Sequence, residues 1–425
     1  MNPTKWLTLA FLACGIGWLY MHNVLLPWRH FMEVESGKLR AEMGDLYPRW
    51  VGTRELLLNG RNPYGLYVSH EIQMAFYGHA IVQDYEDHNA HLVDEQRFVY
   101  PLYVVFLLWP VAYLDFASVQ QWAPVVLAML TALGAILWMD ALRWRPPRIL
   151  AAAIVLFVLS SPQVMQGLRL RQIGLAVAFL LALGTWCVIR NKLAIAGIVL
   201  AIATIKPQMA VLPLAWLLLW GLSDWRKRWS LLASFFLTLA LLTVAGQLLL
   251  PGWLVYFVDG LAAYRNYFPT TSLLRFLMGN FMGAIASAAV VLGIMVLAWR
   301  NRRSDSASPE FLHTQAMFFI CVTLVLPLWT PYNQVLLLLP TLMVLRSWAV
   351  LPRVLRSIFA FIVAWPWILS FVFLLHPPRL DSTSLIPVLP SAPVLLYPFF
   401  ILSLCLAGWR RGNELRTTKA PAGSL

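Results

Sequence analysis

The sequence predicts an all-α polytopic membrane protein, and three observations lead to that prediction. The 425-residue chain is 60% hydrophobic and only 12% charged, with a mean hydropathy of +0.69, whereas soluble domains carry about a quarter charged residues. Its apolar residues form long segments, several of them near the roughly 20 residues that a helix needs to cross a bilayer. Most of these segments lack the polar periodicity of a soluble helix. A large soluble core therefore does not explain the composition.

Thirteen apolar segments predict a bundle of about 12–13 transmembrane or re-entrant helices. They lie near residues 6–27, 99–114, 120–142, 149–165, 173–189, 193–205, 208–222, 230–250, 281–299, 314–329, 332–345, 357–375 and 394–409. The first is expected to remain as a signal anchor, because it exceeds the length of a typical signal-peptide core. The predicted organisation is a first transmembrane helix (1–27), a large extracytoplasmic loop (28–98), a helical bundle (99–409) and a cytoplasmic tail (410–425).

The charge distribution indicates membrane topology, and nucleic-acid binding is not expected. The net charge is +13, but residues 28–98 hold 11 of the 19 acidic residues against seven basic ones. The other basic residues cluster between apolar segments, which is typical of cytoplasmic loops and of contact with anionic lipid. The clusters are Arg143/Arg145/Arg148, Arg190/Lys192, Arg226/Lys227/Arg228, Arg300/Arg302/Arg303, Arg346/Arg353/Arg356 and the tail. We expect a bacterial inner (plasma) membrane, with the loop 28–98 facing the periplasm or the cell exterior.

One segment leaves the topology open. A full crossing at residues 99–114 would place the cluster at 143–148 outside the cell. The segment has only sixteen residues and contains Pro101 and Pro110. Either it is re-entrant, which requires protein to cover its freed backbone, or the cluster is an exception to the positive-inside rule. Twelve full crossings are favoured, and both alternatives stay open.

The long polar loop contains the carboxylate that we expect to carry chemistry, Asp45. Apolar spacing between Leu39 and Leu58 predicts an amphipathic helix on the outer membrane surface, broken near Pro48. A carboxylate at its polar–apolar boundary can act as a general base toward an acceptor hydroxyl. The alternative is a solvated interfacial aspartate. The residues 62–65, Asn-Pro-Tyr-Gly, form a strong turn signal that ends this unit.

Cations at predicted outer helix ends are candidates for binding phosphate. Lys206 either extends its side chain to the membrane interface or binds a phosphate. Arg169 and Arg171 flank Gln172 on the side that the positive-inside rule disfavours, and a phosphate ligand would explain them. Arg265 is a further candidate in the outer loop 251–280, whose aromatic and leucine spacing predicts interfacial helices. The outer loop 376–393 carries five prolines and is expected to be irregular.

A polar run at a later helix start provides additional candidates. Tyr332, Asn333 and Gln334 are positioned to hydrogen-bond sugar hydroxyls or phosphate, with ordinary helix capping as the alternative. The acidic run 83–96 is either a divalent-cation site or a solvated loop. The solvated loop is favoured, because the spacing matches no known metal-binding loop.

The run from Asp45 to Tyr64 resembles the first luminal loop of glycosyltransferase family 87. In that family an aspartate is followed by aromatic residues and by a helix that ends L-L-x-G-x-[DN]-P-Y. The matching residues are Asp45, Tyr47, Leu57, Leu58, Gly60, Asn62, Pro63 and Tyr64. Weaker elements follow in the same order: Phe98-Val99-Tyr100-Pro101, Gln172 of a G-Q pair in which Arg171 replaces glycine, Ala196-Gly197 with Lys206-Pro207, and Thr270-Thr271-Ser272-Leu273. The resemblance covers roughly residues 40–345.

This resemblance implies a GT-C-type glycosyltransferase fold and a defined reaction. A hexose, with mannose as the first candidate, would pass from polyprenyl phosphate to a lipid or glycan acceptor on the extracytoplasmic face, with inversion at the anomeric carbon. Asp45 would be the catalytic base. Substrate would be bound by Lys206, Gln172, Arg171, Arg169, Tyr64, Asn62, Tyr332, Asn333, Gln334 and Arg265.

No cofactor or metal is expected, because nearby cations stabilise a phosphate leaving group. Two rival functions remain from the residues alone. A transporter or flippase of lipid-linked sugars would use the same cations without a base. A non-catalytic scaffold of envelope assembly would show no preference for a donor lipid.

Overall fold

The computed structural model describes residues 3–35, 40–82, 94–267, 271–326, 330–377 and 395–406. In this part of the chain every regular element is a helix, which confirms the all-α prediction. The first ten α-helices are α1 (Pro3–Tyr20), α2 (Leu26–Glu35), α3 (Tyr47–Asn59), α4 (Leu66–Tyr77), α5 (Val105–Leu108), α6 (Phe116–Ala141), α7 (Arg148–Leu159), α8 (Pro162–Arg169), α9 (Ile173–Ile189) and α10 (Leu193–Ala203). They are followed by α11 (Pro207–Ser223), α12 (Trp225–Leu249), α13 (Trp253–Tyr267), α14 (Leu273–Met278), α15 (Asn280–Asn301), α16 (Pro309–Val325), α17 (Leu338–Arg346), α18 (Arg353–Leu375) and α19 (Leu395–Leu406).

The helices suit a multi-pass membrane protein. Within the described residues, five helices of 22 to 29 residues are long and apolar enough to cross a bilayer: Thr4–Met32, Phe116–Ala141, Trp225–Leu249, Asn280–Asn301 and Arg353–Leu375. The helices α7 and α8 meet at an angle of 59° and would form a sixth span if counted together. Six further apolar helices have 10–17 residues. Each of the thirteen predicted apolar segments contains a helix.

The segment that leaves the topology open is a short helix, Leu102–Val111. At 1.5 Å per residue it extends about 15 Å, half the thickness of a bilayer core. Protein covers it, because the indole nitrogen of Trp50 on α3 donates to the carbonyl of Val111 at 2.9 Å. Such cover is the condition under which a half-buried segment is tolerated.

Helix α16 lies at the centre of the bundle. Every residue from Phe311 to Leu324 is buried, including the polar His313, Thr314 and Gln315, so protein surrounds this helix on all sides. Around it, α11 packs on α16, α9 packs on α6 and α10, and α10 packs on α12. The last contact needs Gly197, since a Cβ there would lie 2.4 Å from the carbonyl oxygen of Leu231.

The start of α3 differs from the sequence prediction. Pro48 does not break the helix but lies in its first turn, where the missing N–H of proline costs nothing. Asp45 therefore lies in the turn before α3, not on an amphipathic helix. Part of the chain before it, Ala41–Met43, is a short 3-10 helix. Leu39 lies outside the described residues.

Two loop predictions are confirmed, and one lies outside the structure. In the predicted turn after α3, the amide of Tyr64 donates to Asn62 Oδ1 at 2.9 Å. The loop 251–280 contains the expected helices, α13 and α14. Most of the Pro-rich loop 376–393 lies outside the described residues.

We expect Gly52→Ala to lower stability. The new Cβ would lie 2.4 Å from Cδ2 of Phe98, a ring that is 1% exposed and has no room to move. Overpacking of this kind costs about 1–3 kcal/mol, which a lowered Tm of the purified protein would report. Gly293→Ala in α15 is the matched control, because its Cβ would enter open space. Equal Tm values for the two variants would contradict the packing.

Candidate active site

The loop that carries Asp45 is docked on the turn between α8 and α9. The backbone amide of Asp45 donates to the carbonyl of Leu170 at 2.9 Å. Gly44 has φ +66°, and a Cβ at that position would lie 2.9 Å from the same carbonyl oxygen. Only glycine combines this backbone conformation with this approach at little cost. The loop thus reaches the bundle through direct backbone contact.

Arg171 fastens the same loop from the bundle side. Its guanidinium donates to the carbonyls of Gln120 at 3.0 Å, Glu42 at 2.8 Å and Arg169 at 3.2 Å. Its backbone has φ +52°, a conformation that glycine adopts freely, and glycine is the residue of the family pattern at this position. Here an arginine adopts this strained left-handed conformation. Its hydrogen bonds connect the loop to α6 and to the end of α8.

Gln172 joins the predicted base to the predicted cation. It is the N-cap residue of α9 and is 3% exposed. Its Nε2 donates to the carboxylate of Asp45, and its Oε1 accepts from Lys206 Nζ at 3.0 Å. The amide can be oriented only this way, because a carboxylate accepts and an ammonium donates. Asp45 and Lys206 are therefore held on opposite sides of one amide group.

Lys206 is enclosed by protein and does not extend to the interface. It is 3% exposed, in the turn between α10 and α11. Besides Gln172, it donates to Asn333 Oδ1 at 3.0 Å, and its Nζ lies 4.9 Å from the centre of the Tyr332 ring. Asn333 and Tyr332 belong to the 3-10 helix Pro331–Leu337. The structure thus brings four predicted residues around Asp45.

Arg49 is a site residue that the sequence patterns do not predict. It follows Asp45 by four residues, and its Nη1 donates to the backbone carbonyl of Asp45 at 2.7 Å. Its guanidinium carbon lies 4.6 Å from the centre of the Tyr100 ring. Tyr100 is held in turn by Tyr64, whose hydroxyl donates to the Tyr100 carbonyl at 2.6 Å. The sequence signal that could have identified Arg49 is its position, one helical turn after the candidate base Asp45.

Burial and mutual interactions set the charge states of the two cations. Burial lowers the pKa of Lys206 to about 7; Asp45 acts to raise that pKa and Arg49 acts to lower it. Burial also acts to lower the pKa of Arg49, but interactions led by Tyr100 and Asp45 outweigh it and raise the pKa. Arg49 is therefore a permanent cation, whereas Lys206 titrates near neutrality in the free protein.

The other predicted residues lie at the edge of this cluster or beyond it. Asn62 shapes the turn after α3, Gln334 is 3% exposed beside Asn333, and Arg169 is half-buried at the end of α8. Arg265 is exposed on α13. Its neighbour Tyr264, a helical step away, instead interacts electrostatically with Arg49 and Asp45.

The sequence matches a known enzyme family over more than half of its length. The model of glycosyltransferase family 87 matches residues 98–327. The chain belongs to glycosyltransferase family 87. No curated protein matches it. The matched region contains Gln172 and Lys206. Asp45 and Arg49 lie before it, Asp45 on the loop that docks onto this region and Arg49 in the first turn of α3. The protein is a membrane glycosyltransferase.

Among its described residues, the glycosyltransferase places the carboxylate of Asp45 beside two cations in the candidate active site. Asp45 can accept a proton, and Lys206 and Arg49 can bind an anion. Among the described residues there is no group of three or more histidine, cysteine, aspartate or glutamate side chains placed to hold a metal ion. Residues 83–93 of the acidic run lie outside the described residues.

We expect Gly174→Ala in the glycosyltransferase to weaken substrate binding without unfolding the protein. A Cβ at Gly174 would lie 2.7 Å from Lys206 Nζ and 3.1 Å from Met209 Sδ, so the flexible end of Lys206 must move. The KM for the sugar donor should rise while Tm changes little. Gly134→Ala in α6 is the control, because its nearest contact would be an ordinary 3.7 Å. An unchanged KM in Gly174→Ala would show that the position of Lys206 is unimportant.

Proposed function

We propose that this glycosyltransferase transfers a hexose from polyprenyl phosphate to a lipid or glycan acceptor, with mannose as the first sugar to test. One observation carries the proposal: the amide of Gln172 links the carboxylate of Asp45 to the buried ammonium of Lys206. A base and an anion-binding cation a few ångströms apart are what an acceptor hydroxyl and a phosphate leaving group require.

The proposed reaction assigns one role to each group. Asp45 takes the proton of the acceptor hydroxyl, and the oxygen attacks the anomeric carbon from the face opposite the phosphate. The bond between that carbon and the phosphate oxygen breaks, its electron pair remains on the phosphate, and the configuration inverts. Lys206 stabilises the departing phosphate. Gln172 holds the carboxylate toward the acceptor.

The charges favour a donor with one phosphate. Asp45, Arg49 and Lys206 together carry a net charge of +1 when Lys206 is protonated. A hexose joined to polyprenyl phosphate carries a single negative charge, which balances the site. The diphosphate of a nucleotide sugar carries two, and one would remain unbalanced in a buried site, where such charge is costly.

The position of the site on the helices supports an extracytoplasmic active site in a bacterial inner membrane. The basic turn Arg190–Lys192 joins α9 to α10, and basic turns of this kind mark the cytoplasmic side. Gln172 and Lys206 lie at the opposite ends of these same two helices. Along the 17 residues of α9, the separation is about 25 Å.

We expect Asp45→Asn to reduce transfer by about 10²–10⁴-fold, the usual contribution of a general base. The measurement is incorporation of radiolabel from polyprenyl-phosphate mannose and polyprenyl-phosphate glucose, in parallel, into membranes that contain the protein. Asp224→Asn is the control, since the ion pair of Asp224 with the exposed Lys227 is long, at 3.6 Å, and such surface pairs contribute little.

Full activity of a folded Asp45→Asn protein would remove Asp45 from the catalytic role. If the folded wild-type protein incorporated neither sugar, the proposed donors would be wrong, and flipping of lipid-linked sugars would become the function to test.

The value of kcat/KM for the sugar donor should fall as the pH rises through about 7. In the free enzyme Lys206, with a pKa of about 7, is protonated below that value and loses its charge above it. The quantity kcat/KM, which reports the free enzyme, should therefore fall at high pH. Bound phosphate raises the pKa of Lys206, so kcat should persist to higher pH than kcat/KM.

Lys206→Arg provides the test of this assignment, because arginine stays protonated throughout the range. The variant should lose the high-pH decline in kcat/KM even where its absolute rate is lower. A decline that survives in Lys206→Arg would belong to a different group.

A further inference from the structure

Arg49 has one N–H donor that no described residue satisfies. Its Nη1 bonds to the carbonyl of Asp45, but its Nε is buried without a hydrogen-bond partner among the described residues. A buried N–H that loses water and gains no partner costs free energy, and more so when it carries charge. A ligand that accepts a hydrogen bond from this N–H would remove that cost, so the position of Arg49 favours a bound acceptor.

Within the part of the chain that the structure describes, the two cations of the site share one carboxylate, Asp45. Arg49 and Lys206 both interact with Asp45, and they repel each other, as the lowering effect of Arg49 on the pKa of Lys206 records. One carboxylate balances only one of them. An uncompensated charge inside a protein is strongly destabilising, and an anion that bridges the two cations would remove the imbalance.

Aromatic rings hold the two cations in place. Tyr100 lies under the guanidinium of Arg49, and Tyr332 lies 4.9 Å from the ammonium of Lys206. Such contacts stabilise a cation through the face of the ring and leave its N–H groups available. A guanidinium offers a planar pair of donors that matches phosphate oxygens, whereas an ammonium acts as a point charge.

We propose that Arg49 is the second ligand of the donor phosphate, acting together with Lys206. This inference rests on the proposed polyprenyl-phosphate donor. It also accounts for charge during transfer. When the bond to the anomeric carbon breaks, the phosphate gains a second negative charge, while Asp45 gains the acceptor proton and becomes neutral. Two cations then face two negative charges, so the site is balanced both before and after transfer.

Binding of farnesyl phosphate to the full-length protein in detergent tests the inference without requiring transfer. Farnesol, which has the same chain and no phosphate, is the neutral comparison. We expect Arg49→Gln to weaken farnesyl phosphate binding about tenfold or more, as for the loss of a charge-assisted hydrogen bond, with farnesol binding unchanged. Arg49→Lys should retain an intermediate affinity, because it keeps the charge and loses the planar donor pair.

Arg54→Gln on the same helix is the matched control. Arg54 donates to the carbonyls of Ala112 and Leu114, away from Asp45, so its loss should lower Tm and leave farnesyl phosphate affinity unchanged. Equal binding of farnesyl phosphate by wild type and Arg49→Gln would overturn the role of Arg49 and leave the proposed donor standing. A parallel loss of farnesol binding in Arg49→Gln would show a structural role instead. A wild-type protein that binds no farnesyl phosphate would overturn the proposed donor and the role of Arg49 together.

Discussion

The amide of Gln172 is the contact on which the site depends, because it keeps opposite charges apart inside the protein. A carboxylate and an ammonium that meet directly form an ion pair, which would occupy the oxygen that a base needs. With the amide between them, Asp45 and Lys206 still attract each other electrostatically, and each forms one hydrogen bond with Gln172. Buried polar groups require such satisfied partners, and a network of this kind rigidifies the residues that form it.

The helical bundle provides a rigid support for the loop that carries Asp45. Gln172 and Lys206 are the N-cap residues of two packed helices, α9 and α11, so their backbones have little freedom. Tyr103 reinforces this frame, because its hydroxyl contacts Thr204 Oγ1 at 2.8 Å, two residues from Lys206. Functional loops positioned by a rigid scaffold are a common solution in enzymes. Here the scaffold provides one cation, Lys206, the loop provides the proposed base, Asp45, and the start of α3 provides the other cation, Arg49.

The sequence predicted the fold well because apolar segments report membrane helices directly, and the resemblance selected Asp45, Gln172 and Lys206 as residues of one site. The contacts themselves could not be predicted. Asp45 and Gln172 are 127 residues apart, and no local pattern encodes such a pairing. Arg49 was missed because its proximity to Asp45 depends on the turn at Gly44 and on a helix that begins at Tyr47, whereas a helix break was expected near Pro48. Arg265 was selected in place of Tyr264 because one helical step decides which side chain faces the site.

Arg171 connects the part of the protein that matches the family model to the loop that lies before it. The match begins at residue 98, so it includes the frame with Gln172 and Lys206 and excludes Asp45 and Arg49. Arg171 belongs to the frame, yet it donates to the carbonyl of Glu42, three residues before Asp45. A glycine at this position would relieve the left-handed backbone and lose the tie. The arginine thus fixes the distance between Asp45 and Lys206 at the cost of local backbone strain. The proposed transfer needs that fixed distance, because the acceptor hydroxyl and the donor phosphate would have to be held side by side.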